Sequence, residues 1–199
     1  GSLADAAGIA TITGNGSGVN TVTVGAGFDN DLAIDLATGA DDIDASASAA
    51  KLTLTSTLTA ITAADTLMGG TGASDTITLT AATAQTATFG ASFTGFETIG
   101  VTAATTQQMK VVMGNSLSTG DTITLDASVM TSTLADLIFD GSAEITAVNG
   151  AGSFNITGGG GDDTIKGGMG ADTLSGGSDG TDIIYSYFGN DVVNLGAAA

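Results

Sequence analysis

Aliphatic residues alternate with hydroxyl-bearing residues along most of the chain, from about residue 11 to residue 146. Runs of this kind include Asn20–Val24, Lys51–Thr55, Asp75–Thr80 and Asp121–Asp126. A β-branched polar residue that alternates with an aliphatic one at a period of two is typical of a half-buried strand. Gly, Asn and Asp clusters separate the runs, as turns require. The pattern therefore predicts an all-β chain of many short strands.

The C-terminal part repeats a glycine-rich unit of nine residues. The unit has the form G-G-x-G-x-D-x-U-x, in which U is a large aliphatic residue. Residues 149–157 fit the same frame, with Phe154 where the aspartate belongs, and fainter copies lie upstream. The clear copies, in chain order, are Gly158–Lys166, Gly167–Ser175, Gly176–Ile184 with one inserted residue, and the partial copy Gly189–Val193.

The nonapeptide supplies the ligands that a hard cation needs. Ca²⁺ takes six to eight oxygen atoms, and tight glycine turns point backbone carbonyls inward while the aspartate adds a charged oxygen. If two nonapeptides form one coil, each turn stacks on the turn two repeats later. The expected metal ligands are, for one ion, Gly159, Gly161, Asp163, Gly176, Ser178 and Asp182 and, for a second ion on the other edge, Gly168, Gly170, Asp172 and Asp191.

Gly158–Val193 resembles the RTX family, the calcium-binding β-roll of secreted Gram-negative proteins. The resemblance implies a right-handed parallel β-solenoid or β-roll with calcium turns at its C-terminal end, folding triggered by external calcium, and export by a type I secretion system. On this basis we divide the chain into a Thr/Ala-rich β-solenoid with degenerate repeats, residues 1–148, and an RTX calcium-binding β-roll, residues 149–199.

A second resemblance covers Thr71–Val111. The stretch Phe89–Val101, set among Thr-rich strands, is similar to repeats of RTX-type surface-layer proteins. Those proteins combine a β-solenoid with calcium turns and tile the cell surface as a lattice. This resemblance implies a structural protein that assembles with copies of itself.

The composition excludes several functions. The 199 residues carry a net charge of −18, which disfavours binding to nucleic acid or to an anionic membrane. The absence of His removes the usual general base and zinc ligand, and the absence of Cys removes thiolate sites and disulfides. Charged residues make up only 12% and hydrophobic residues 42%, which argues against a disordered chain. We therefore expect a non-enzymatic folded protein.

Several single residues have a structural interpretation at this stage. Asp41, Asp42 and Asp75 are expected in ordinary surface turns, although calcium binding by Asp29, Asp41 or Asp75 stays open. Glu97 and Glu144 are expected to be solvated. Phe89, Phe93 and Phe96 are expected in the core, and a strand is expected through Tyr185 and Tyr187. The threonine ladders are expected on exposed strand faces, because the drifting spacing of the threonines argues against an ice-binding array.

Three classes of function remain open. The first is a calcium-dependent, self-assembling surface-layer or filament protein, and the second is the non-catalytic calcium module of a larger secreted enzyme or adhesin. The third, a glycan-active β-helix, is disfavoured because the chain has only three lysines and no arginine. The expected partners are further copies of the chain and a cell-surface glycan as anchor. We expect an extracellular or cell-surface location without an N-terminal signal peptide, because Gly1–Ala6 lacks a basic segment and an apolar segment.

Overall fold

The computed structural model describes residues 11–14, 16–72, 74–80, 84–102, 107–145 and 151–196. In these ranges it contains short strands and a single turn of 3₁₀ helix, Leu58–Ala60. The strands are β1 (Thr11–Thr13), β2 (Thr21–Thr23), β3 (Leu32–Asp35), β4 (Asp42–Asp44), β5 (Leu52–Thr57), β6 (Thr66–Met68), β7 (Thr76–Thr80), β8 (Gln85–Thr88), β9 (Phe93–Thr94), β10 (Thr98–Val101), β11 (Met109–Val112), β12 (Thr122–Asp126), β13 (Leu137–Asp140), β14 (Ser153–Thr157), β15 (Thr164–Lys166), β16 (Thr173–Ser175), β17 (Ile183–Tyr185) and β18 (Val192–Asn194).

The strands form three parallel sheets that coil into a solenoid. The first sheet has nine strands in the order β1-β3-β5-β7-β10-β12-β14-β16-β18. The second sheet has the order β2-β4-β6-β9, and the third sheet has the order β17-β15-β13-β11-β8. The predicted all-β parallel solenoid is therefore confirmed. β12 and β14, which lie on either side of the predicted boundary, are neighbours in the first sheet, and the division of the chain at residues 148 and 149 stays a prediction.

The length of a coil varies, but the register of the strands does not. In the first sheet Thr173 pairs with Asn155, 18 residues earlier, and Val192 pairs with Thr173, 19 residues earlier. These two steps fit the expectation of two nonapeptides per coil. By contrast, Ser153 pairs with Thr122, 31 residues earlier, because long turns take up the additional residues.

The constant register aligns threonines that are unevenly spaced in the sequence. Thr53, Thr76, Thr98 and Thr124 are paired in succession across four strands of the first sheet. The argument that drifting spacing breaks up the threonine ranks is therefore wrong for these positions, since insertions are absorbed in turns. These four threonines are half-buried in the outer surface of the sheet.

Aliphatic residues from facing sheets fill a narrow core. Most coils contribute one or two fully buried side chains per strand, such as Leu54, Ile77 and Ile99. The core positions predicted for Phe89, Phe93 and Phe96 are confirmed: the rings of the first two lie 4.4 Å apart and those of the last two are stacked at 5.0 Å. This cluster fills the coil in which the second sheet ends at β9 and the third begins at β8.

Tyr187 departs from the sequence-based expectation. Strand β17 ends at Tyr185, and Tyr187 has a φ of +63°, which is outside the extended region. The prediction of a strand through both tyrosines is therefore right for Tyr185 and wrong for Tyr187. Among the described residues, no helix is long and apolar enough to cross a membrane.

Candidate metal centre

Asp163 lies in the turn that leads into β15, and its carboxylate joins two coils. Its Oδ1 accepts the backbone N–H of Leu137 at 2.6 Å, one coil earlier, and its Oδ2 accepts the N–H of Gly159 at 2.7 Å within its own turn. The side chain is 1% exposed. A Cβ on Gly158 would collide with this carboxylate, so the turn needs glycine there. Asp163 therefore holds the glycine turn closed and caps the start of β13, the strand one coil earlier in the same sheet.

Asp172 repeats the arrangement on the opposite edge, in the turn that leads into β16. Its Oδ1 accepts the N–H of Phe154 and its Oδ2 accepts the N–H of Gly168, both at 2.8 Å. Asn155 pairs with Thr173, so Phe154 directly precedes its strand pair at the position that Asp172 occupies one coil later, which is the offset that the nonapeptide frame predicts. Phe154 is buried, and its ring packs edge-on against Phe139 at 5.1 Å.

The next coil adds a second aspartate to each edge. The N–H of Asp163 donates to Asp182 Oδ1, and the N–H of Asp172 donates to Asp191 Oδ1, both at 3.0 Å. Each predicted ion position is thus flanked by two carboxylates from successive coils.

Backbone carbonyls of the glycine turns lie close to the turns stacked on them. The N–H of Ser178 donates to the carbonyl of Gly159 at 2.9 Å. A Cβ on Gly180 would collide with the carbonyl of Gly161, and a Cβ on Gly189 would collide with that of Gly170. The structure therefore brings together the residues predicted from the sequence as two groups, Gly159, Gly161, Asp163, Gly176, Ser178 and Asp182 on one edge and Gly168, Gly170, Asp172 and Asp191 on the other.

Burial destabilises the charged form of these carboxylates. Desolvation raises the pKa of Asp163 to about 6, and the negative charges of Asp182 and Asp136 add to the effect. Desolvation also raises the pKa of Asp172 and of Asp182. A bound cation would remove this penalty, since it favours the ionised form of a nearby carboxylate.

The ligand set that fits these turns is mostly backbone. Among the described residues, no group of three or more acidic side chains is placed to hold a metal ion. An ion between stacked turns would therefore be held by carbonyl oxygens and by one carboxylate from each turn. Such an all-oxygen set is typical of Ca²⁺.

The same carboxylate geometry occurs upstream, where the sequence analysis missed it. Asp75 Oδ1 accepts the N–H of Leu52 at 2.7 Å, Asp75 Oδ2 accepts that of Gly70 at 2.5 Å, and Glu97 Oε2 accepts the N–H of Asp75 at 2.7 Å. On the second sheet, Asp65 Oδ1 accepts the N–H of Asp41 at 3.0 Å. We call this series of acidic side chains, each bonded to the preceding coil, the carboxylate ladder.

Two sequence-based expectations for this ladder are wrong. Asp41 and Asp75 were expected at the surface, but they are 2% and 0% exposed because their carboxylates bind backbone N–H groups between coils. Asp42 is exposed, as expected. A signal for the ladder exists in the sequence as an acid–Thr–aliphatic triplet. It begins at the ladder residues Asp65, Asp75, Glu97, Asp163 and Asp172, and also at Asp121, whose carboxylate accepts the N–H of Ser118 within its own turn.

Glu144 also contradicts its expected solvation. It is 1% exposed, and its Oε2 accepts the N–H groups of Ser116 at 3.0 Å and Leu117 at 3.2 Å. Glu144 lies between β13 and β14 and outside any strand, so no periodic pattern in the sequence predicts its burial. Glu97 is exposed, as expected, although its carboxylate belongs to the ladder.

Comparison with protein families identifies the repeat. The family model of the RTX calcium-binding nonapeptide repeat (4 copies) matches residues 150–180 and residues 177–199. Comparisons with curated proteins and with solved structures gave no match.

Proposed function

Because residues 150–199 belong to the RTX calcium-binding nonapeptide repeat family, we propose that this protein is a calcium-dependent structural protein that assembles with copies of itself outside the cell. The assembly would be a surface layer or a filament. RTX repeats bind calcium, and they form a structural β-roll. The proposal includes export by a type I secretion system and a cell-surface glycan as the anchor.

The observation that carries self-assembly is the apolar surface of the last coil, residues 183–196. Seven of the eleven large apolar residues that are exposed in the described part of the chain lie in this coil. They are Ile183, Tyr185, Tyr187, Phe188, Val192, Val193 and Leu195. A concentration of exposed apolar side chains marks an interaction surface.

Open strand edges add to this surface. β18 pairs with β16 and β17 pairs with β15, and both strands lie at the end of their sheet. An unpaired edge is a template for pairing with a strand of another molecule. A second copy supplies an edge and an apolar face of the same kind, which supports contact between two last coils.

In this proposal assembly depends on calcium, because the last coil is connected to the rest of the solenoid by the metal-binding turns. Asp182, which directly precedes this coil, and Asp191 within it bind backbone N–H groups of the coil before it. An ion at either edge would order the coil and with it the edges and apolar residues that make the contact. Assembly would therefore require calcium.

A non-catalytic calcium module of a larger secreted enzyme or adhesin is the second candidate. The same apolar end would then be covered by a neighbouring domain rather than by another copy. The two candidates differ in what the isolated chain does when calcium is added.

Sedimentation velocity and electron microscopy in calcium and in chelator distinguish them. Val192→Lys places a charge on the open edge of β18, whereas Val129→Lys places the same charge on a residue 48% exposed in the turn after β12, three strands away from β18 in the first sheet. We expect wild type and Val129→Lys to form larger particles only in calcium and Val192→Lys to stay smaller. A wild-type protein that binds calcium but stays monomeric at high concentration would favour the accessory module.

A further inference from the structure

Two buried polar atoms next to the metal-binding turns have no hydrogen-bond partner. Within the part of the chain that the structure describes, these are Glu144 Oε1 and Ser116 Oγ. A buried polar atom without a partner is destabilising, and such atoms in native proteins call for a water, an ion or another group. The nonapeptide frame explains neither residue, since both lie before residue 149.

Glu144 is fixed in place by contacts on two sides, one at its carboxylate and one at its backbone. Its Oε2 accepts the N–H groups of Ser116 and Leu117, while its backbone carbonyl accepts the N–H of Met169 at 3.0 Å. A Cβ on Gly168 would lie 3.1 Å from the Cβ of Glu144, so the two turns are in close contact. The turn after β11 therefore holds the carboxylate of Glu144, and the predicted calcium turn before β16 packs against its backbone and Cβ.

In the described part of the chain, no positively charged side chain shifts the pKa of Glu144. Burial is the main cause that raises the pKa of Glu144, and the negative charge of Asp121 raises it further. Lys166, the lysine closest in sequence, is engaged with Asp140 at 3.0 Å. A buried carboxylate in this setting requires a proton or a cation.

We infer that Glu144 Oε1 and Ser116 Oγ are ligands of a further calcium ion, one layer before the ion expected at Asp172. A carboxylate oxygen and a hydroxyl oxygen are ligands of the kind that Ca²⁺ accepts in its flexible all-oxygen geometry, and water would complete the set. The Ser116 side chain is adjacent because its own N–H binds the same carboxylate. The site extends the row of ions on this edge by one position beyond the matched repeats.

Counting bound ions tests the site. Glu144→Gln keeps the size of the side chain and an oxygen that accepts the two N–H groups, but it removes the charge. Asp42→Asn removes one charge from an exposed side chain of β4 and serves as the matched control. In native mass spectrometry of the full chain with added calcium chloride, we expect Glu144→Gln to bind one Ca²⁺ fewer than wild type and Asp42→Asn to bind the same number.

Ser116→Ala gives a second test that leaves the carboxylate intact. Calorimetric titration with calcium should show one ion weakened by about tenfold or more, in line with the loss of a group at a metal site. Combining Glu144→Gln with Asp172→Asn should lose a second ion, since the two sites are separate.

An unchanged ion count in Glu144→Gln would overturn the inference and assign the free oxygen to a proton or a water molecule. If Glu144→Gln does not fold, Ser116→Ala decides. Unchanged calcium affinities in that variant would equally overturn the site.

Discussion

The backbone N–H of Asp163 donates to Asp182 Oδ1, while the Asp163 carboxylate caps the strand one coil earlier. One residue therefore serves as both donor and acceptor between three successive coils. Asp172 does the same with Asp191 on the other edge. Because these carboxylates are also the expected calcium ligands, metal binding and the connection between coils depend on the same atoms.

Asp172→Ala should weaken calcium binding more than Asp179→Ala. Asp172 is 1% exposed and belongs to the repeat that matches the consensus, whereas Asp179 is half-buried in the repeat with the inserted residue. Removing the Asp172 carboxylate deletes a charged ligand and also frees the N–H groups of Phe154 and Gly168. Calcium titrations of the two variants test the nonapeptide frame assigned to these repeats. Equal calcium affinities of the two variants would refute that frame.

Calcium should order the C-terminal repeats. In the last coil Ile183 and Val193 are 49% and 45% exposed, so few apolar contacts offset the entropy of ordering these residues. An ion that binds only the folded form stabilises it by about 2.7 kcal/mol at a concentration of 100 times its Kd. In excess chelator, amide exchange should be fast in residues 158–196 and slow in β5 and β7. Added calcium should slow the exchange of residues 158–196.

Full protection of residues 158–196 in chelator would show that the coils fold without metal. The strands β5 and β7 serve as the internal control because they lie outside the predicted calcium-binding repeats. Their exchange should not depend on calcium.

Asp75→Ala should destabilise the upstream coils by about 2–4 kcal/mol. The substitution leaves the buried N–H groups of Leu52 and Gly70 without their acceptor, and each such loss costs about 1–3 kcal/mol. Asp42→Ala, which removes an exposed carboxylate, should change the free energy of unfolding by less than about 0.5 kcal/mol. Urea unfolding of both variants gives the comparison, and similar small effects would mean that the ladder does not stabilise the fold.

Asp65 should make stability depend on pH. Desolvation is the main cause that raises its pKa above 3.8, so the folded protein binds this proton more tightly than the unfolded chain. The contribution of Asp65 to the free energy of unfolding is therefore largest at low pH and decreases as pH rises from about the unfolded value through the raised folded value. The difference in stability between wild type and Asp65→Asn should decrease accordingly as pH rises from 3.8, the ordinary pKa of an aspartate, through the raised pKa of the folded protein.

The control for this pH profile is Asp42→Asn, because its carboxylate is exposed on the outer face of β4. Its stability difference from wild type should stay nearly constant over the same range. A pH-independent difference for Asp65→Asn would contradict a raised pKa for Asp65.

Sequence alone predicted the solenoid because the period of two and the nonapeptide are local patterns. The stacking of Asp163 on Asp182 follows from two repeats per coil and was predicted. The burial of Asp75 was not predicted, since it depends on Leu52 and Gly70, and Leu52 lies a whole coil away. Glu144 was missed for the same reason: its partners, Ser116 and Leu117, are 28 and 27 residues earlier, within a turn of irregular length.

Constant register in the first sheet also sets a length scale. Neighbouring strands lie about 4.8 Å apart, so the eight steps between its nine strands span about 38 Å. Added or deleted loop residues change the width of a coil but not this rise. The length of the solenoid along its axis therefore changes only by whole strand spacings. The repeat distance of any array built along that axis would change in the same increments.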